Sequence, residues 1–562
     1  MTPVASRDKN FEVARLFEEI ARSLDVKGEQ GHRPRAYRRA ARVVAAYPEP
    51  IEVLAYEGRL RDMPGIGPSL EALIIEYLAS GAVRTHARMV KEHPPGLAPL
   101  LAARGFGPTA IEALHAKLGI TDLDDLERAA SEGRLEQAIG TKRAAELIAQ
   151  LPQLRAPIRR LRLKSAWEIA REVLALLGDP PDVHVVGAAR RMCDIVEEGL
   201  QFVTTSQGAA DLVVRLPNVD EVLDRTDHTV RVRLYDGLEA RLHLATPSTV
   251  GTALVLHTGS AAHVRRLAEL AAERGVELAG RTEDEVYAKL DVPWIAPELR
   301  EDEGEIEAAQ SGKLPHLVQE SDLKGDMHCH TSWTDGSNSL EQMARAARAR
   351  GYAYMALTDH SRSLTITNGL SLERLGEARR CVEQLNHELA PFVILLGTEM
   401  DILEDGRLDY PDEVLGTLDY VSASVHSRFK QTEPLMTARI LRAVSHPLVH
   451  TLNHPHGRLL MARPPYAVDM QRVIETAAES GCALEISGDP ARIDLDGTWA
   501  RRARAAGARC TISSDAHSTL DFDNIWIGVG SARRGWLEPG DVLNTRSLEE
   551  LRALLRRPRG VS

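Results

Sequence analysis

Apolar residues recur along this chain in two rhythms, and the change from one to the other divides it. Over the first 155 or so residues they fall three and four apart in short runs broken by glycine, the spacing of helices that each bury one face. Two of the breaks are alike. Met63-Pro64-Gly65-Ile66-Gly67-Pro68 leads into a helical run from Ser69 to Leu78, and Arg104-Gly105-Phe106-Gly107-Pro108 leads into Thr109 to Leu118. Ala138-Ile139-Gly140-Thr141-Lys142 is a weaker third copy. Helix, Gly-apolar-Gly, helix tucks the apolar residue between two helices and leaves backbone N–H groups free at the start of the second, where they hold one phosphate. This helix-hairpin-helix arrangement grips the DNA backbone without reading bases. Gly65, Ile66, Gly67, Gly105, Phe106 and Gly107 are the candidate DNA-binding positions. The plainer alternative is a helical bundle with tight loops.

From about Ala156 to Ala296 strand-like and helical segments mix. Strands are expected at Val183 to Val186, Asp211 to Leu216 and His228 to Leu244, and a helix at Ala261 to Arg274. Pro297 to Gln319, rich in Glu, Gly and Pro, reads as a linker.

The second rhythm begins near Lys324. Seven apolar runs end in a metal-binding residue type: Lys324 to His330, Tyr352 to His360, Phe392 to Glu399, Tyr420 to His426, Leu448 to His454, Cys482 to Glu485 and Cys510 to His517. Helical segments such as Ser339 to Arg350 and Leu372 to Leu389 separate most of them. Strand, ligand, helix, strand in repetition predicts a parallel β/α barrel, whose chemistry gathers at the C-terminal ends of its strands.

Composition changes this picture little. A 562-residue chain with 43% hydrophobic and 27% charged residues is long enough for several folded domains. The net charge of −12 runs against a DNA-binding protein, but Arg33, Arg35, Arg38, Arg39 and Arg42 cluster locally and carboxylates gathered at metals add negative charge. The five cysteines have no C-x-x-C pair, which excludes a disulfide framework and a thiolate zinc site. Met1 to Asn10 lacks a signal-peptide core, and no apolar stretch approaches a membrane span, so the expected setting is cytoplasmic with no membrane partner.

His328, His330, Asp335, His360, Glu399, His426, His454, Asp515 and His517 are the candidate metal ligands. His328 and His330, two apart on a strand, project to one face, and Asp515 and His517 repeat the device. Nine ligands exceed what one ion takes. Shared among two or three divalent ions with Glu399 or Asp515 bridging, they suit zinc, manganese or iron better than magnesium. Ions about 4 Å apart activate water and hold phosphate oxygens, the chemistry of phosphoester hydrolysis. His328, His330, Glu399, Asp515 and His517 are the catalytic candidates. Arg428 and Arg458, shortly after His426 and His454, are candidates for binding phosphate; His446 and His456 have no partner by spacing.

Asp326-Met327-His328-Cys329-His330, Thr358-Asp359-His360, Gly397-Thr398-Glu399, Ser424-Val425-His426, Asn453-His454-Pro455 and Ser514-Asp515-Ala516-His517 resemble, in order, the motifs of the PHP (polymerase and histidinol phosphatase) domain. The resemblance implies a distorted seven-stranded barrel carrying three metals. Phe11 to Leu24, Arg35-Ala36-Tyr37-Arg38-Arg39-Ala40-Ala41, the two hairpins, Thr258-Gly259-Ser260 and Glu283-Asp284-Glu285-Val286-Tyr287 resemble the bacterial family X DNA polymerases that end in a PHP domain. So does Pro297-Glu298-Leu299-Arg300-Glu301.

That likeness implies a multidomain α+β and α/β chain. Its expected parts are a lyase-like hairpin domain (1–85), a fingers-like domain with the second hairpin (86–155), a polymerase palm (156–245), a thumb (246–300), the linker (301–320) and the PHP domain (321–562). It further implies gap-filling synthesis with magnesium or manganese, a manganese-dependent 3′→5′ exonuclease, DNA gaps, nicks and 3′ ends as partners, and other repair proteins as candidate partners.

The departures from that family bear on function. Its Gly-Ser-x-Arg-Arg-Gly segment reads Gly187-Ala188-Ala189-Arg190-Arg191-Met192 here, and the three catalytic aspartates fall on Glu198, Leu200 and Arg241. Two-metal nucleotidyl transfer needs carboxylates to hold both ions, so the palm is expected to be degenerate unless Asp194, Glu197 or Asp211 substitutes. The lyase lysine is replaced as well: Ser69 and Leu73 occupy the matching positions, and neither supplies an amine. The expected activity is therefore phosphoester hydrolysis at DNA ends by the PHP site. A polymerase using unorthodox carboxylates, a non-catalytic DNA-end scaffold and a small-molecule phosphatase are the alternatives.

Overall fold

The computed structural model describes residues 8–29, 32–155, 160–234 and 237–555, which leaves Met1 to Arg7 of the stretch read for a signal sequence outside the described residues. The seven runs form seven parallel strands in sequence order: Gly325–Cys329, Tyr354–Leu357, Val393–Asp401, Tyr420–Ser424, Thr451–Leu452, Ala483–Ser487 and Cys510–Ser513. The first and last meet at a parallel bridge between Cys329 and Ala516, where the His330 N–H donates to the Ala516 carbonyl at 2.8 Å. The near-closed barrel buries its strands on both faces, as their continuous apolar sequence requires. At the strand starts Met327, Tyr354, Leu395, Tyr420 and Ala483 pack on Leu543, Leu551 and Leu555, so the C-terminal helix Leu548–Leu555 seals the end opposite the ligands. The helix Leu372–Leu389 has its expected limits, and Leu340–Ala349 is started by a capping box between Ser339 and Gln342.

The two hairpin turns share one backbone conformation. Gly65 and Gly105 both have φ +83, a left-handed value costly for a side chain. Ile66 and Phe106 are buried. Gly67 and Gly107 are extended N-caps for Pro68–Ser80 and Pro108–Leu118, and no side chain closes either cap. The third copy is also built as helix, left-handed Gly140, helix.

The middle of the chain holds a five-stranded sheet in the order Val183–Val186, Leu200–Thr204, Glu239–Leu244, Thr229–Leu234, Val219–Arg225. His228 to Leu244 thus becomes two strands, and residues 235 and 236 between them lie outside the described residues. Asp211 to Leu216 is not a strand. Its start belongs to the helix Gln207–Val213, which is capped by Ser206 and buries Ala209, Ala210 and Val213 at helical spacing.

The stretch read as a linker is packed. It contains the helix Glu305–Gln310 and contributes Ile306, Ala309 and Leu317 to a core shared with Tyr287 and Trp536. Its charges look solvated in sequence but find partners inside: Glu305 accepts from His263 at 2.5 Å, and buried Arg300 donates to Glu283 at 2.7 Å.

This middle region docks directly on the barrel. Leu163 packs with Leu460, Ile493 and Ile527, and Trp167 meets Trp526 edge-on. Met192 takes φ +60, and its side chain lies so close to Gly530 that a Cβ there would sit 2.2 Å from the Met192 Cε. Arg534, from the barrel helix Ile525–Arg534, donates to Glu301 at 2.8 Å and to the Arg191 carbonyl at 3.0 Å. Removing one partner from a buried ion pair leaves the other charge uncompensated. Arg534→Ala is therefore expected to cost about 2 kcal/mol, seen as a lower thermal midpoint and faster protease cleavage near residue 300; unchanged values would show that the junction does not depend on this pair.

Candidate metal centre

Each candidate ligand stands at or just beyond the C-terminal end of a barrel strand, and the barrel brings all nine to one mouth. Glu399 is at its middle, with 1% of its surface exposed. One carboxylate oxygen lies 2.9 Å from His360 Nδ1, 3.5 Å from His328 Nε2 and 3.6 Å from His330 Nε2. The other lies 3.2 Å from His426 Nε2 and 2.9 Å from His454 Nε2. Asp515 approaches His330 and His328 at 3.3 and 3.4 Å, while Asp335 approaches His360 at 3.3 Å and His517 at 3.5 Å. Asp515 itself has φ +54, an unfavoured conformation for a residue with a side chain.

The donor atoms form three groups, each within 4.8 Å: His330 with Asp335, His360 and His517; His328 with His330 and Asp515; His360 with Glu399 and His426. His330 and His360 each serve two groups, as expected where neighbouring ions share a ligand shell. The chemistry fits divalent cations. His330 Nδ1 is buried without a hydrogen-bond partner among the described residues, and buried polar atoms are rarely left so.

The electrostatics divide the histidines. Burial pushes His330 down to about 3, reinforced by the rings of His517 and His360, and pushes His454 down to about 4 beside Arg492. Burial acts the same way on His360 and His517, but carboxylates outweigh it. Glu399 and Asp335 lift His360 to about 10, and Asp335 with Asp515 lifts His517 to about 9. Glu399 is held far below the usual carboxylate range: burial opposes ionisation, and His426, His328 and His360 overcome it.

Four supporting residues escaped the sequence reading. Glu485 accepts from His328 Nδ1 at 2.7 Å and from the His454 N–H at 2.8 Å, which fixes the His328 ring. It closes the sixth apolar run, and that position was its only signal. Asp401 orients His426 through Nδ1 at 2.8 Å, and Asp359 anchors the first loop through Thr331 and Thr334. Arg492, whose guanidinium is 3.6 Å from Asp515, follows the sixth strand with nothing in the sequence to mark it.

The two arginine candidates separate. Arg428 is two-thirds exposed and pairs with Glu404 at 3.2 Å. Arg458 is not open to a phosphate: it is largely buried, donating to Asp194 at 2.5 Å and Asp496 at 3.3 Å. A guanidinium this close to the barrel mouth reads as a phosphate ligand until the neighbouring sheet, unforeseeable from spacing, supplies its carboxylate. His446 lies 3.3 Å from Asp412, and His456 packs edge-on against Trp499.

In the middle sheet, Leu200 is buried and Gln201 stands opposite Arg241 in register. Glu198 accepts from Gln201 at 3.1 Å. His243 stacks on His257 at 3.6 Å, with burial and the nearby His257 and Arg241 pushing it down to about 4. Ala188 offers no hydroxyl. Arg190 is engaged bidentately by Glu283 at 2.8 Å, and Arg191 by Glu301 at 2.9 Å. Asp194 is committed to Arg458, and Asp211 pairs with Arg225.

Comparison with known proteins gives three family matches: a helix-hairpin-helix domain over residues 8–83, a DNA polymerase beta thumb over 253–301 and a PHP domain over 326–487. A protein of Bacillus subtilis strain 168 named "DNA polymerase/3'-5' exonuclease PolX" is 34% identical over 97% of this chain and 99% of its own length. The chain belongs to the PolX family. Its barrel separately resembles probable phosphatases. One from Caldanaerobacter subterraneus is 29% identical over 35% of this chain and 77% of its own length. Another, from Vibrio atlanticus, is 29% identical over 36% and 82%. The PolX domain plan accounts for the fold described above: hairpins, a palm sheet, a thumb and a PHP barrel on one chain. Among the described residues no helix is long and apolar enough to cross a membrane.

With carboxylates holding His360 and His517 protonated at neutral pH, a divalent cation must displace protons to bind. Apparent Mn²⁺ affinity is expected to climb between about pH 6 and 9, with proton release visible by calorimetry in buffers of different ionisation enthalpy. A pH-independent affinity would contradict this arrangement of charges.

Proposed function

We propose that this PolX protein is a DNA repair enzyme that hydrolyses phosphoester bonds at DNA 3′ ends through its PHP centre, acting as a 3′→5′ exonuclease and end-processing enzyme, and that its palm no longer synthesises DNA. The observation that carries this reading is a contrast between two sites on one chain. The barrel mouth gathers nine imidazole and carboxylate groups around buried Glu399. In the palm, Glu198, a buried Leu200 and Arg241 are the residues we align with the cation-holding aspartates of the family. A guanidinium there repels the ions that nucleotidyl transfer requires.

In this reading His328, His330, Asp335, His360, Glu399, His426, His454, Asp515 and His517 hold two to three manganese, zinc or iron ions. Bound there, the ions supply a nucleophilic water at neutral pH and neutralise charge on the phosphate. Glu485 and Asp401 fix the His328 and His426 rings. His517, the most exposed of the set at 39%, is the ligand that stands furthest out towards solvent. Arg492 and Arg428 attract the phosphodiester from two sides of the mouth. The name of the B. subtilis relative joins both activities; this chain retains the groups for one of them. Among the described residues no disulfide joins its cysteines, which suits a reducing cytoplasm.

The DNA grip has its own support. At each hairpin an arginine stands against the first glycine. Arg39 Nε is 3.4 Å from where a Gly65 Cβ would lie, and Arg143 donates to the Gly105 carbonyl at 3.1 Å. Arg39→Ala and Arg143→Ala are each expected to weaken binding to all sequences and reduce the salt dependence by about one phosphate. A change in sequence preference instead would contradict backbone-only contact.

The function is tested with a labelled primer annealed across a short gap, Mn²⁺ and all four dNTPs. The primer is expected to shorten, with His328→Ala abolishing the reaction and Glu198→Ala leaving it intact. A primer that lengthens, and stops lengthening in Glu198→Ala, would make the protein a polymerase.

A further inference from the structure

The barrel mouth is not completed by the barrel alone. The loop after the sixth strand, residues 488–496, carries Arg492, whose Nε is 3.2 Å from Asp489 and 3.6 Å from Asp515. Arg458 holds this loop from the opposite side. Its Nε donates to the Arg492 carbonyl at 3.0 Å, and its Nη2 donates to the Ile493 carbonyl. Ile493 has φ +47, an unfavoured conformation for a β-branched residue that needs outside contacts to persist. The same Nη2 also donates to Asp194, which belongs to the palm and lies 264 residues away in sequence. An unbroken chain of contacts therefore runs from Asp194 through Arg458 and the two carbonyls to the Arg492 guanidinium and Asp515.

The palm side of this chain is firmly seated. The segment around Asp194 is fixed to the barrel by Met192 against Gly530, by Arg534 on the Arg191 carbonyl and by Ile195 beside the Leu163, Leu460 and Ile493 cluster. Asp194 and Arg458 are 17% and 14% exposed, so water competes weakly for their charges. The barrel's own Asp496 meets the Arg458 Nη1 at 3.3 Å and leaves Nη2 to the palm and the Ile493 carbonyl.

We infer that Asp194 of the palm is a positioning residue for the PHP centre: by holding Arg458 it fixes the 488–496 loop and aims Arg492 at the metal-facing Asp515, so that the palm, having lost the groups for synthesis, completes the hydrolytic site. This rests on the reading of the barrel mouth as a phosphoesterase.

The test uses the full chain and bis(p-nitrophenyl) phosphate, a diester too small to engage the palm or hairpins, at saturating Mn²⁺. Asp194→Asn is expected to lower kcat about tenfold, the lower end of what loss of a partner that orients a ligand costs, while the protein stays folded at the assay temperature, and Asp194→Glu is expected to recover part of the rate. Arg171→Ala, which removes a guanidinium stacked on Trp167 and Trp526 at the same interface, is expected to keep the wild-type kcat. Wild-type kcat in Asp194→Asn would overturn the inference, and so would equal losses in Asp194→Asn and Arg171→Ala. Hydrogen exchange over residues 489–496 decides the matter independently of activity: it should quicken in Asp194→Asn, and an unchanged rate would also overturn the inference. A wild-type protein inert towards the diester would instead count against the phosphoesterase reading.

Discussion

A buried carboxylate surrounded by imidazoles is the constraint on which the rest of this protein depends. Glu399 is almost wholly enclosed, and five histidine rings stand within 3.6 Å of its oxygens. An isolated carboxylate in such a place would be strongly unfavourable. It is tolerated because positive charge, from protons or from metal ions, is available on every side. Those rings come from four different strands or strand ends, so most of the barrel must close correctly before the charge of Glu399 is compensated. The site and the fold therefore specify each other. The apolar plug beneath, formed by Leu543, Leu551 and Leu555, covers the end of the barrel opposite the ligands.

The middle domains follow a different logic. Around the segment that resembles the polymerase motif, charged and aromatic side chains engage one another: Arg190 with Glu283, Arg191 with Glu301, His243 with His257. The motif segment has become a contact surface. Met192, in a left-handed conformation that suits glycine, keeps it because its side chain fills the space over Gly530. The contact seats one domain on the next.

Much of this was legible in the sequence, for physical reasons that differ from place to place. The barrel could be read because buried parallel strands are continuously apolar and each ends in a ligand type. The hairpins could be read because only glycine adopts Gly65 and Gly105's backbone at low cost. The strand expected at Asp211 to Leu216 was wrong because a short apolar run suits a buried helix equally well, and the Ser206 cap decides it. The linker was wrong because Glu305 and Arg300 find partners more than 15 residues away in sequence, which spacing does not reveal. Arg458 was misassigned for the same reason: its partner Asp194 lies in another domain. Arg492 left no trace in the pattern, since an arginine in a loop has no period.

On the proposed reading, divalent ions belong to the barrel mouth and not to the palm. Crystals grown in Mn²⁺, measured at the manganese absorption edge, locate the ions directly. Two or three anomalous peaks should lie among Glu399, Asp515 and the surrounding histidines, with none beside Glu198. A peak at Glu198 and an empty barrel mouth would contradict the account.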